Sequence, residues 1–328
     1  MTDLGSAPLV LALALAIDRL VGDPHWLWRR VPHPIVGMGR AIAWLDGRLN
    51  KPGGSFEEGR KRGILALGLA ICGAAAIGLL LQLVIGRLPF GWAVEAIVVA
   101  IFLAQKSLVD HVAAVERALV ADGVEAGRRA VSEIVGRDVR ALDEAGVARA
   151  AIESAAENFS DAVVAPAFWY LLLGLPGLLI YKVVNTADSM IGNRSPRHIA
   201  FGWAAARFDD LLNLAPARLS ALIIAATAGL TGFDARSAVE IARRDAPKHK
   251  SPNAGWPEAA LAGALGLALG GPRRYGAEEV DGAWLNLGAR SAAAPEDIAA
   301  ATRLIDASWA LLVVLSAIAA TVTLSLVR

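Results

Sequence analysis

Cysteine is almost absent from this chain: Cys72 is the only one among 328 residues, so no disulfide framework can form within a single copy. Charge of one sign is missing too, since 32 Lys and Arg face 31 Asp and Glu and leave a formal net charge of +1. That balance, with no basic run interleaved with stacking aromatics, argues for no nucleic-acid partner. Charged residues as a whole are scarce, at 19% against 55% apolar. A soluble domain carries about a quarter charged residues, so the composition points to a lipid solvent. Also absent are a Gly-x-x-x-x-Gly-Lys-Ser/Thr phosphate loop, a dinucleotide glycine fingerprint after a strand, a His-Glu-x-x-His zinc helix and a Gly-x-Ser-x-Gly elbow. Any nucleotide must then be held by dispersed acids, amides and arginines.

What is present is long uncharged runs. Residues 63–86 hold no charged side chain and one strongly polar one, Gln82, and at ~1.5 Å per residue they cover the ~30 Å hydrocarbon core. The stretch 308–327 is likewise uncharged. Further apolar stretches lie at about 8–21, 92–105, 162–184, 214–232 and 258–270. Arg19, Lys182 and Arg218 read as snorkelling ends, and Glu95, close to Trp92, as interfacial. Cys72 falls mid-span, where a small packing role fits it. The run 9–17 resembles a signal core but has no preceding positive residue and no small-residue cleavage site, and reads as a retained anchor. The expected fold class is all-α, a polytopic helical membrane protein with cytoplasmic helical loops and re-entrant segments.

Three parts are expected along the chain: membrane segments over 1–105 with a basic loop at 22–62, a soluble helical segment at 106–161, and membrane segments over 162–328 with polar loops at 185–213 and 233–257. In 106–161 apolar residues recur at helical spacing, and Gly123, Gly136 and Gly146 punctuate two or three short helices. Gly174-Leu175-Pro176-Gly177 breaks the run 162–184 and could turn it back as a re-entrant hairpin. Loops 22–62 and 106–161 carry eight and seven Lys or Arg, whereas 87–91 carries only Arg87. The positive-inside rule places the first two in the cytoplasm.

Four polar clusters could carry chemistry. Glu153, Glu157 and Asp161 stand at i, i+4 and i+8, one side of a helix, with Asn158 and Ser160 beside them. Three acids on one stripe repel unless a cation sits among them, which makes Mg²⁺ a candidate; a solvated face has the same spacing. The second cluster runs Asn185, Thr186, Asp188, Ser189, Asn193, Arg194, then Arg197, His198, Arg207, Asp209, Asp210 and Asn213. Asp188, Asp209 and Asp210 suit a metal, Arg194 and Arg207 suit phosphate, and ordinary helix caps use the same residue types. The third cluster, Lys248-His249-Lys250-Ser251-Pro252-Asn253-Ala254-Gly255, is a cationic turn fit for an anionic ligand or for lipid headgroups. Asp23-Pro24 with His33-Pro34 is a fourth, weaker site.

These clusters also carry a family resemblance. Gly22-Asp23-Pro24 with His33-Pro34, Val135-Gly136-Arg137-Asp138, the run from Glu153 to Asp161, the run from Asn185 to Asn193, and Ser251-Pro252-Asn253-Ala254-Gly255 occur in order over nearly the whole chain. Together they resemble the hallmarks of the CobD/CbiB family, the adenosylcobinamide-phosphate synthases of late cobalamin assembly. The resemblance implies an amide-forming ligase of the bacterial inner membrane, active on its cytoplasmic face. It would join a corrinoid, adenosylcobyric acid, to an amino alcohol phosphate, with Mg²⁺ as cofactor and ATP as cosubstrate. It leaves room for self-association or association with other membrane enzymes of the pathway.

On that reading Glu157, Asp188, Glu153 and Asn158 are the catalytic candidates, and Glu153, Glu157, Asp161, Asp188, Asp209 and Asp210 the metal candidates. Arg137, Asn185, Asn193, Arg194, Arg207, Lys248, Ser251 and Asn253 would bind substrate or phosphate. Trp169, Tyr170, Trp203 and Trp256 could pack against the corrin, although an interfacial belt explains them as well. The rival class is a membrane transporter of a small polar or ionic solute, since broken apolar helices with adjacent acids also describe transport sites. It expects two similar halves, and no internal repeat supplies them.

Overall fold

The computed structural model describes residues 6–192, 195–275, 278–280 and 282–326, and it is overwhelmingly helical. The helices are α1 (Ala7–Val21), α2 (His25–Trp28), α3 (Pro34–Leu49), α4 (Phe56–Ile85), α5 (Gly91–Ala100), α6 (Gln105–Ser132), α7 (Glu144–Phe159), α8 (Ala165–Ile191), α9 (Trp203–Leu230), α10 (Ala235–Asp245), α11 (Gly255–Leu265) and α12 (Pro295–Leu326). Four short strands, β1 (Leu269–Gly270), β2 (Arg273–Tyr275), β3 (Glu278–Val280) and β4 (Trp284–Leu285), pair antiparallel as β1 with β4 and β2 with β3. Among the described residues five predominantly helical stretches are long and apolar enough to cross a membrane, at Phe56–Ile85, Gly91–Ser132 (α5 and α6 with the short turn between them), Glu144–Ile191, Trp203–Leu230 and Pro295–Leu326. In α4 only 22% of the most apolar stretch is buried, and Leu65, Leu69, Leu80 and Leu83 stand exposed. A helix so apolar and so little covered by protein is matched to lipid. Cys72 is exposed on the same helix.

The chain folds as two compact units. One comprises residues 1–103, 165–213 and 316–328; the other comprises 104–164 and 214–315. The sequence segment 162–328 is therefore divided between them, and 104–164 packs with part of it.

In the first unit α4 starts with a capping box, Ser55 Oγ accepting from Glu58 N (3.3 Å) and Glu58 accepting from Ser55 N (3.2 Å). It then runs along α8 so closely that a Cβ on Gly78 would lie 2.6 Å from Pro176 Cα. α8 leaves helical geometry at Gly174 (φ 67°, ψ −152°), the break that Gly174 and Pro176 imply. Glu95 is buried within the protein on α5, where it accepts from Tyr170 Oη on α8 (2.9 Å). Lys182 does not snorkel, because its position on α8 is enclosed by the unit. His33 caps α3, its Nδ1 accepting from Ile35 N (3.2 Å) while Nε2 lies 3.2 Å from Ile101 O. Burial lowers the His33 pKa below the usual value, against the opposing pull of Asp23.

In the second unit α6 breaks at Gly123 (φ 75°) as expected, but Gly146 does not punctuate a helix. It lies in the first turn of α7, where Asp143 caps the helix by accepting from Gly146 N (2.7 Å). The small residues Ala148, Ala150, Ala151, Ala155 and Ala156 are all buried, so α7 packs tightly in the unit's core. α10 and α11 approach nearly backbone to backbone, a Cβ on Gly263 falling 2.8 Å from Ala238 Cα.

Candidate functional site

The turn 133–143 between α6 and α7 is folded back onto α7 by polar side chains. Ser154 Oγ donates to Ile134 O (2.9 Å), and Asn158 Nδ2 donates to Ser154 O (2.9 Å) and Oγ (3.1 Å). This brings Arg137 over α7, where its Nη2 donates to Glu153 Oε2 at 2.9 Å. The other Glu153 oxygen accepts from Gly270 N of β1 (2.8 Å). Glu153 is buried and both its oxygens are engaged, while Arg137 Nε is buried with no hydrogen-bond partner among the described residues.

Arg137, Glu153, Glu157 and Glu258 line one cavity of about 140 Å³, with Gly136 and Ser154. A wider cavity of about 440 Å³ adjoins it across Ile134, Val135, Gly136 and Ser154 and reaches Ser107, His111, Glu133 and Asn158. The three acids of the first sequence cluster do not make one stripe. Glu153 is buried, Glu157 is exposed, and Asp161 belongs to a π-helical turn at Ser160–Val164, whose wider winding takes it off the α-helical register. Glu258, unforeseen as a site residue, enters from α11 with its side chain 1% exposed and its Oε2 3.8 Å from His249 Nε2. The available signal was a lone carboxylate at the start of the apolar run 258–270.

The cationic turn before α11 is largely committed to structure. Asp245, fully buried, receives Arg244 Nε and Nη2 (2.9 and 2.8 Å), Lys248 Nζ (2.6 Å) and Asn286 N (2.7 Å). The Arg244 hydrogen bond, outweighing burial and helped by Lys248 and Asn286, holds this carboxyl well below the usual range. Lys248 is thus an ion-pair partner, and Ser251 Oγ caps the turn by accepting from Asn253 N (3.2 Å) and Ala254 N (3.1 Å). Asn253 is buried.

The second sequence cluster lies in the first unit, where the end of α8 meets the start of α9. Asn185 Nδ2 donates to Asp209 Oδ1 (3.4 Å), and Asn213 Nδ2 donates to Asp209 Oδ2 (3.0 Å). Tyr181 Oη in turn donates to Asn213 Oδ1 (3.1 Å). Asp188 is near enough to Asp209 and Asp210 for their like charges to repel, and Arg207 Nη1 stands 3.7 Å from Asp210. Gly192 is required beside it, since a Cβ there would collide with the Asp188 carboxyl. Asn193 and Arg194 lie outside the described residues. The connection from α8 to α9 is tied to α3 by Asp46, which accepts from Asn50 Nδ2 (2.8 Å) and from Arg197. Burial pushes the Asp46 carboxyl up, but the hydrogen bonds from Asn50 and Arg197 prevail and leave it below its ordinary value.

Donor chemistry in this first-unit cluster fits Mg²⁺: oxygen ligands only, three carboxylates and one adjacent cation. Among the described residues no three Asp, Glu, His or Cys converge to hold a metal by themselves. Magnesium bound with substrate phosphates asks for only one or two carboxylates. Of the four aromatics considered for a corrin surface, Tyr170 is buried against Glu95, and Trp169 Nε1 donates to Leu212 O (3.1 Å). Trp203 and Trp256 instead lie under Arg60 and Arg218, at 5.1 and 4.7 Å.

The family described as CobD/Cbib protein matches residues 11–305. A cobalamin biosynthesis protein CobD of Rhizobium meliloti (strain 1021) is 54% identical over 298 residues, covering 89% of this chain and 90% of that protein. The CobD of a Sinorhizobium species is 55% identical over 293 residues (88% and 91%), and that of Rhodobacter capsulatus is 47% identical over 281 (84% and 86%). No solved structure matches the chain.

Proposed function

Because the chain belongs to the CobD/CbiB family of cobalamin-biosynthesis proteins, we propose that it forms the amide between adenosylcobyric acid and aminopropanol phosphate, or a related amino alcohol, with ATP and Mg²⁺. The product is adenosylcobinamide phosphate. The observation that carries this reading is the second-unit cavity, where a guanidinium with a spare buried donor stands beside two carboxylates other than its own ion-pair partner. A small substrate bearing an ammonium at one end and a phosphate at the other needs that pairing of charges.

A carboxylate is a poor acyl donor until one oxygen becomes a leaving group, most simply as an acyl phosphate formed from ATP. In that first step the carboxylate oxygen bonds to the γ-phosphorus, the bond to the bridging oxygen breaks and ADP departs; the ammonium then gives a proton to a base, the free amine attacks the acyl carbon, the carbon–oxygen bond breaks, and phosphate departs with the second proton. Asp188 and Asp210, with phosphate oxygens completing the shell and Asp209 fixed beside them by its amide donors, would hold Mg²⁺, which when bound would neutralise phosphoryl charge. Arg207 steadies phosphate oxygens and Arg137 the phosphate of the amine substrate. Glu157, exposed at the cavity, accepts the amine proton, and Glu258 holds the ammonium. Glu153, with both oxygens bonded, fixes Arg137 in place. The family setting and the basic loops 22–62 and 106–161 favour a bacterial inner-membrane protein with its polar segments cytoplasmic.

The test incubates the detergent-purified chain with adenosylcobyric acid, aminopropanol phosphate, Mg²⁺ and ATP and follows the amide by mass. Product that disappears on omission of each component in turn supports the reading. Product formed without ATP, or none with all four present and the protein folded, rejects it.

A further inference from the structure

The end of α9 and the helix after it place an apolar edge beside a basic face. α9 is able to cross a membrane, and its last residue, Leu230, is 74% exposed. Only residues 231–234 separate it from α10, so at ~3.5 Å per residue α10 begins no more than about 18 Å beyond the span. The turn is tighter than that limit: Gly232 takes a left-handed conformation (φ 81°), and Phe233 N bonds back to Ala228 O (2.9 Å). Asp234 then starts α10 at once by accepting from Ser237 N (2.8 Å). α10 therefore begins only a short turn after the span, within reach of lipid headgroups when α9 is inserted.

α10 is sharply two-sided. Ala238, Ile241, Ala242 and Asp245 are buried, while Arg236, Val239, Glu240, Arg243 and Arg244 line a shallow trough of about 590 Å³. Of the cations here, Arg244 and Lys248 are bound to Asp245. Among the described residues Arg236 and Arg243 of the trough, and Lys250 in the turn that follows in the chain, are exposed and form no ion pair, and Glu240 is the one acid lining the trough. Unpaired cations gathered on one face immediately after a span, next to exposed leucine, have the pattern that anionic headgroups reward with about 1 kcal/mol per cation, roughly fivefold in partitioning. A soluble acidic partner would leave Leu230 and the adjacency to the span without a role.

We propose that α10 is a docking face for anionic phospholipid headgroups, with Arg236, Arg243 and Lys250 on the phosphodiester oxygens and Leu230 at the acyl boundary. This assignment is independent of the reaction proposed above. To test it, Cys72→Ser protein carrying Val239→Cys is labelled with an environment-sensitive fluorophore and reconstituted in vesicles of phosphatidylcholine alone or with phosphatidylglycerol. A control label replaces Val120, which is exposed on α6.

The expected result is a blue shift at position 239, absent at 120, that grows with the anionic fraction and fades with salt. Changing Arg236, Arg243 and Lys250 to Gln should weaken the response roughly fivefold for each cation removed, and Glu240→Gln should strengthen it. Equal emission in both vesicle types, or a response untouched by these substitutions in opposite directions, overturns the proposal. A shift produced by millimolar inorganic phosphate in phosphatidylcholine vesicles reassigns the face to a soluble anion and overturns it too.

Discussion

Arg137 Nη2 and Glu153 Oε2 lie 2.9 Å apart with their side chains 11% and 6% exposed, a nearly enclosed ion pair that joins the turn after α6 to α7. Removing one member of such a pair strands the other charge, at a cost of about 3–5 kcal/mol, and Gly270 N loses its acceptor as well when Glu153 is removed. Glu153→Ala should therefore lower the melting temperature of the detergent-purified protein clearly. An unchanged melting curve would show that the pair holds nothing in place.

Glu157 and Asp188 should behave in the opposite way. Each is at least partly solvent-accessible, and each is assigned a chemical task. Substitution of either by Ala should abolish ATP- and Mg²⁺-dependent amide formation while the melting temperature stays near wild type. Retained turnover removes that residue from the mechanism.

Glu258 separates charge from shape. Glu258→Gln preserves volume but replaces one carboxylate oxygen facing the cavity with an amide donor, so it removes the carboxylate that would hold the ammonium. It should raise the KM for the amine about tenfold or more and leave the KM for ATP unchanged. Equal effects on both substrates would mark a general loss of structure instead.

Asp245 supplies a pH test. Above the ordinary carboxylate value of 3.8, Asp245 is ionised in both the folded and the unfolded chain. Below it, the unfolded chain takes up a proton that the Arg244-bound folded carboxyl resists, so its stabilising contribution is complete above about pH 4 and declines with further acidification. Asp245→Asn should be less stable at pH 7, and its melting temperature should fall less steeply from pH 5 to pH 3. A parallel fall in both proteins would contradict the assignment.

How much of this could be seen in advance differs by feature. The spans and the breaks at Gly123 and Gly174 were legible because uncharged length and positive-φ glycine are local properties. The gathering of Asn185, Asp188, Arg207, Asp209 and Asp210 was legible as a dense polar patch after an apolar run. Glu258 was not, because its approach to Arg137 joins segments more than a hundred residues apart. The commitment of Lys248 to Asp245 spans only i to i+3, yet it depends on a buried environment that no local pattern announces. The π turn that displaces Asp161 has no composition of its own.

α8 is interrupted at Gly174, and Pro176 suits the restart because it has no N–H to leave bare. Gln82 Oε1 is the nearest neighbour of that interruption, 2.7 Å from where a Cβ on Gly174 would stand. The single amide in an otherwise greasy stretch of α4 is thus registered against the single discontinuity in the helix beside it. A lone polar residue in a lipid-spanning segment, here, reports a defect in its neighbour, so the two positions are expected to tolerate change only together.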